Sequence, residues 1–166
     1  MNSLTAYLRE GLATKRFYHT MSFMNETSTA NHEKDCIFCK IVAGQIPASK
    51  VYEDDHTIAF LNIEPNAPGH TLVIPKDHFE NIYTTPDETL CRLMIAVRKI
   101  TIAIKNGMDT DGITNIINSE CAGHISHTHV HIIPRYLEDG FIEWPSVSYK
   151  SGEIEAVVEK IKKELE

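Results

Sequence analysis

The chain lacks any apolar run near the roughly 18 residues that a membrane-spanning helix needs. It also lacks a basic excess: 16 Lys and Arg against 23 Asp and Glu leave a net charge of −7 at pH 7. That balance excludes the broad cationic face with which proteins neutralise nucleic-acid phosphates, so neither nucleic acid nor membrane is expected as a partner. A single nucleotide held in a pocket stays open, because helix ends and a few local donors can bind it. Cysteine is sparse, 4 in 166 residues, which excludes a disulfide-dense scaffold and favours a reducing compartment, the cytoplasm. At this length one domain is expected, able to bury about two-thirds of its unfolded surface without a covalent staple.

What the chain does have is His127-Thr128-His129-Val130-His131-Ile132-Ile133-Pro134-Arg135. Strict alternation running into apolar residues reads as a strand, and period two points all three imidazoles to one face. Three readings fit: a three-histidine metal site, a histidine nucleophile with helpers on either side, or a histidine-rich strand with structural roles only. The last would require a buried partner for each ring. In the nucleophile reading His129 is best placed, with His127 and His131 about 7 Å away along the strand. The loop Ser119–Ser126 just before it is rich in small residues that leave backbone N–H groups near a phosphate oxygen.

Along the rest of the chain, residues 1–34 carry no persistent pattern and read as a disordered leader. Leu4, Leu8 and Leu12 beside Arg9, Lys15 and Arg16 also give it a faint mitochondrial-presequence character, the alternative location. Asp35 is expected to cap a short helix that stops at Gly44. Lys50–Glu53 and Thr57–Ile63 read as an antiparallel hairpin, and His70–Ile74 as a third strand closed by Pro75. Thr85-Pro86-Asp87-Glu88 is a helix start with Thr85 as N-cap, and apolar residues at helical spacing follow as far as Gly107. Ile113–Asn118 is the fourth strand and the histidine row the fifth. Residues 146–166 form a tail with an amphipathic helix from Ser151. The class is α+β: a five-stranded, mainly antiparallel sheet with one long helix across it.

Cys36-Ile37-Phe38-Cys39 has the spacing of a metal knuckle, a redox pair, or two buried cysteines. For zinc, two more ligands must come from the nine histidines, and the row can give one only from an end, since its middle ring is flanked on both sides.

Cys36–Ile41, Pro68–His78 and His127–Arg135 together resemble the histidine-triad nucleotide hydrolases and transferases, over about residues 35–145. The resemblance implies an α+β domain that dimerises into a continuous sheet. It implies cleavage of a nucleoside monophosphate from an amine, acyl or phosphate group through a nucleotidyl-histidine intermediate. His129 would be the nucleophile, with His131 and Asn118 contacting the phosphate. The zinc-bearing branch is the nearer likeness, and it implies Cys36, Cys39, His78 and His127 as ligands of a structural Zn²⁺. Phe38, Ile41, Ile46, Phe60, Leu61 and Ile63 match positions lining the base pocket for a purine nucleotide. Asn62 stands where many members place a ribose-binding aspartate.

One departure concerns the glycine-glutamine pair that most members carry before the triad. Gly123 occupies the glutamine position, His124 follows it, and the loop is about two residues short. The phosphate contact is then either lost or supplied by His124. Trp144-Pro145 resembles the tail of members in which an aromatic reaches the partner's site. Two rivals remain at this level: a nucleotide-binding scaffold without catalysis, and a transferase that passes the nucleotidyl group to phosphate.

Overall fold

A computed structural model describes residues 33–140 and 144–165; the expected leader, apart from Glu33 and Lys34, lies outside them. A short helix α1 (Ile37–Val42) precedes β1 (Lys50–Glu53), β2 (Thr57–Leu61) and β3 (Thr71–Pro75). The long helix α2 (Asp87–Gly107) crosses to β4 (Gly112–Ile117), and a single 3-10 turn, Glu120–Ala122, leads towards β5 (Val130–Arg135). A final helix α3 spans Glu153–Lys163. The five strands form one sheet in the order β1-β2-β3-β5-β4, with every neighbouring pair antiparallel. The expected α+β class and five-stranded sheet with its long helix are what the chain adopts. Among the described residues no helix is long and apolar enough to cross a membrane.

Alternation along the strands divides the core in two. Ala59, Val73, Val130 and Ile132 face α2, where they pack on Leu93, Ala96, Val97 and Ile100. Ile58, Phe60, Leu72 and Ile74 face the other way and meet Phe38 and Ile41 of α1. His131 pairs in register with Leu72, which puts it on the α1 side.

Three local expectations are corrected. The ladder of β5 begins at Val130 rather than His127. Upstream of it, the Thr128 N–H donates to the Phe79 carbonyl at 2.7 Å instead of to a neighbouring strand. Asp35 does not cap α1: the N-cap is Cys36, without a side-chain hydrogen bond. Thr85 does not cap α2 either, since the N-cap is Pro86. The Thr85 hydroxyl turns inward, 2.8 Å from both the Asn81 carbonyl and the Thr128 hydroxyl. A buried hydroxyl needs a partner, and the triad segment supplies a nearer one than the helix end.

Candidate functional site

The site lies on the α1 face, where β5 and the segment before it bring His127, His129 and His131 beside Phe38. The Phe38 ring meets His129 edge-on at 5.3 Å and His127 at 5.8 Å between centroids. His129 and His131 are 4.9 Å apart by the same measure.

His129 is 4% exposed, and its Nδ1–H donates to the carbonyl of His127 at 2.6 Å. That bond fixes the tautomer and leaves the lone pair on Nε2. Burial lowers its pKa, partly opposed by the bond to the carbonyl, so the ring is neutral at pH 7 and can attack an electrophile. Burial, and then the neighbouring His129 and His70, push the His131 pKa down to about 4. Sequence reasoning missed His70. It is buried, with Nε2 2.9 Å from His131 Nδ1, and no periodic signal ties position 70 to position 131.

His127 turns away from this pair. Its Nε2–H donates to the Pro75 carbonyl at 3.0 Å, while Nδ1 stands 3.4 Å from Cys36 Sγ and 3.7 Å from Cys39 Sγ. His78 Nδ1 is 3.4 Å from Cys39 Sγ, and His78 Nε2 is 3.4 Å from the Glu33 carboxylate. The four donor atoms lie within 4.8 Å of one another. Donors around a tetrahedral zinc stand about 3.3–3.8 Å apart, so the cluster could hold such an ion with little movement. Each imidazole offers one nitrogen to the cluster and grips an oxygen with the other, the outer-shell arrangement that orients metal-bound histidine. Without a metal, burial pushes the Cys39 thiol up to about 11, opposed in part by the Glu33 backbone N–H. Glu33 fell within the expected leader, and only the folded chain shows it beside His78.

The remaining candidates are placed as follows. Phe38, Ile41 and Phe60 form one apolar cluster, with Ile46 and Ile125 packed against it. Asn62 is half-buried, its amide donating to the Glu64 carbonyl and accepting the Glu64 N–H. Leu61 lies with Ile100 and Ile104 in a cleft on the α2 side, on the opposite face from the histidines, and Ile63 is 91% exposed. Asn118 follows Ile117, which pairs with Val130, so it continues towards His129. A Cβ on Gly123 would meet the Asn118 Cβ at 3.5 Å. His124 lines a cavity of about 400 Å³ with Cys36, Ile37, His78, Glu80 and Ser126.

Fold and site together define an α+β protein whose sheet carries a neutral, oriented histidine beside a closed Cys2His2 cluster. The HIT domain family model matches residues 43–138, and the chain belongs to that family. A crystal structure of a HIT family member from Bacillus subtilis superimposes with a TM-score of 0.73 at 43% identity, covering 78% of this chain and 96% of that one. An adenosine 5′-monophosphoramidase of Schizosaccharomyces pombe is 37% identical over 78% of this chain and 98% of its own length. A zinc-bound histidine-triad family protein from Mycobacterium smegmatis matches with a TM-score of 0.63 at 31% identity, covering 78% of this chain and 96% of that one.

Proposed function

We propose that the chain is a nucleotide hydrolase that releases a nucleoside monophosphate from an amine, acyl or phosphate leaving group. The observation that carries this reading is the 2.6 Å bond from His129 Nδ1–H to the His127 carbonyl, which keeps Nε2 basic and aimed away from the backbone. Nε2 attacks the α-phosphorus, and the bond from phosphorus to the leaving group breaks. The leaving group takes the electron pair and a proton from solvent, and Nε2 recovers its lone pair when the intermediate is later cleaved. Water then attacks the same phosphorus, the P–Nε2 bond breaks, and the monophosphate departs as the water proton passes to solvent. His131 donates to a phosphate oxygen, with Asn118, Gly123 and His124 as further contacts on the phosphate side. A purine base sits against Phe38, Ile41, Ile46 and Phe60, bounded by Ile63, with Asn62 at the ribose; Leu61, turned to the α2 side, takes no part. The relative named as a monophosphoramidase supports an amine leaving group.

Cys36, Cys39, His78 and His127 would hold Zn²⁺. With all four positions taken by protein, the ion would supply cross-linking of α1, the 76–80 segment and the triad rather than a site for water. Their separations and the Pro75 and Glu33 partners support this set, as does the zinc-bound neighbour. The working protein is a homodimer that continues the sheet across two copies, located in the cytoplasm.

The test is mass spectrometry of protein quenched during turnover of an adenosine phosphoramidate. A nucleotidyl adduct on His129, absent in His129→Ala, is expected; turnover that persists in His129→Ala would sink the mechanism. For the metal, elemental analysis should find about one zinc per chain, and Cys36→Ser should lower both that ratio and the thermal midpoint.

A further inference from the structure

His70 lies outside the 127–131 row and has no task in the proposed reaction, yet both its ring nitrogens are engaged. It is 1% exposed. The Asn66 backbone N–H donates to Nδ1 at 3.1 Å, and the Asn62 amide nitrogen stands 3.4 Å from the same atom. A nitrogen that accepts a backbone N–H carries no proton of its own, so the neutral ring holds its proton on Nε2. Nε2 is the atom 2.9 Å from His131 Nδ1. The opposite polarity, with His131 donating, would leave His70 accepting at both nitrogens and hence an imidazolate, a form far outside the range of a histidine at pH 7. The proton of His131 is therefore on its own Nε2.

The turn before His70 is built to present the Asn66 amide. Gly69 has φ +88°, and a Cβ there would meet Pro134 Cγ at 3.2 Å and Met108 Cγ at 3.3 Å. Glycine alone takes that conformation in that space without strain. The turn is closed by the His70 N–H donating to the Ala67 carbonyl and the Asn62 N–H donating to the His70 carbonyl. A backbone amide thus sets the His70 tautomer, and His70 sets that of His131.

We propose that His70 is a positioning residue: its Nε2–H bond to His131 Nδ1 holds His131 in the tautomer that offers an Nε2–H donor to the substrate's phosphate. The proposal rests on the hydrolase reading for its consequence, but the hydrogen-bond assignment can be read without turnover.

The test uses the full chain labelled with ¹⁵N-histidine. Long-range ¹H–¹⁵N spectra of ligand-free protein at pH 7 should show His131 protonated at Nε2. His70→Phe keeps an aromatic ring and removes the donor, whereas His70→Gln returns an amide nitrogen to the place of Nε2. In His70→Phe, His131 should become a mixture of tautomers. Its kcat for an adenosine phosphoramidate should fall roughly 10- to 100-fold, the range for losing one hydrogen bond to a charged group, with KM changed far less. His70→Gln should restore both the tautomer and most of the rate. A wild-type His131 protonated at Nδ1, or an unaltered tautomer in folded His70→Phe, overturns the proposal. The wild-type spectrum decides even where His70→Phe does not fold. Protein that shows the expected tautomers but hydrolyses no phosphoramidate upholds the His70 assignment and refutes the hydrolase reading instead.

Discussion

On one side of the sheet, Ala59, Val73, Val130 and Ile132 meet Leu93, Ala96, Val97 and Ile100 of α2; on the other, Ile58, Phe60, Leu72 and Ile74 share the surface with α1 and the histidines. Burial on the α2 side is non-directional, and its contribution scales with the apolar area removed from water. On the α1 side each buried ring must place two nitrogens correctly, so the same fraction of buried surface specifies tautomers and lone pairs as well as packing. The α2 side makes the sheet stable; the α1 side makes it selective about where protons sit. A strand such as β5 serves both at once, Val130 and Ile132 to one side and His131 to the other.

The largest effect expected from breaking this contrast is on the polar face. His129→Asn, which keeps most of the buried volume and an amide N–H for the His127 carbonyl, should cut turnover of an adenosine phosphoramidate by about 10³-fold or more while urea unfolding stays close to wild type. The converse change, Leu93→Ala, removes a side chain with no exposed surface and should cost about 2–5 kcal/mol of stability. Single-turnover rates measured well below its unfolding midpoint should match wild type. If the rate fell with stability, the two faces would not be separable.

Between pH 7 and pH 5, acidification should act on the buried histidines of the polar face. Unfolded histidines take up protons near pH 6.5, whereas folded His131 does so only near about 4, and burial lowers His70 in the same direction. Between those values the unfolded chain binds more protons, so stability falls as the pH drops through the window. Urea midpoints at pH 7 and pH 5 would show this, and a His70→Gln, His131→Gln double variant should lose part of that dependence. The smallest effect concerns the join between the faces. Thr85 and Thr128 have two hydroxyl protons for three contacts, with Asn81 O, with Phe79 O and with each other. Thr85→Val should cost about 1 kcal/mol, measured by chemical denaturation.

The α2 face was legible in the sequence because its signals are periodic. The spacing of Leu93, Val97 and Ile100 states which side of the helix is buried, and the short apolar runs in Thr57–Leu61 and Thr71–Pro75, bounded by turn residues, read as strands covered on both faces, without reference to any other segment. The alternation at 127–131 likewise gave a common side for the histidines. It did not give the point at which pairing starts, because the Thr128 amide is taken by the Phe79 carbonyl, a contact between segments 49 residues apart. Thr85 misled for a related reason: a threonine before Pro-Asp-Glu satisfies every local rule for a cap, and a buried tertiary partner outweighed them. His70 and Glu33 carried no local signal at all. Their partners, the Asn66 amide, His131 and His78, meet them only after the chain has closed. The resemblance places Leu61 with Phe60 at the base, yet consecutive strand residues face opposite ways and Leu61 lies on the α2 side.

His127 contributes in two chemically separate ways: its ring belongs to the cysteine cluster, and its main-chain carbonyl holds His129. Since every residue has a carbonyl, the orientation of the His129 ring does not depend on what side chain occupies position 127, provided the segment is held in place. A lineage could therefore replace both cysteines, His78 and this ring with well-packed apolar residues and keep the His129 ring in the same orientation. A single replacement would strand the remaining thiol and imidazole in the core. Drift at this corner of the molecule is accordingly expected to proceed in blocks of several residues, whereas under the proposed mechanism position 129 admits no such substitution, alone or in company.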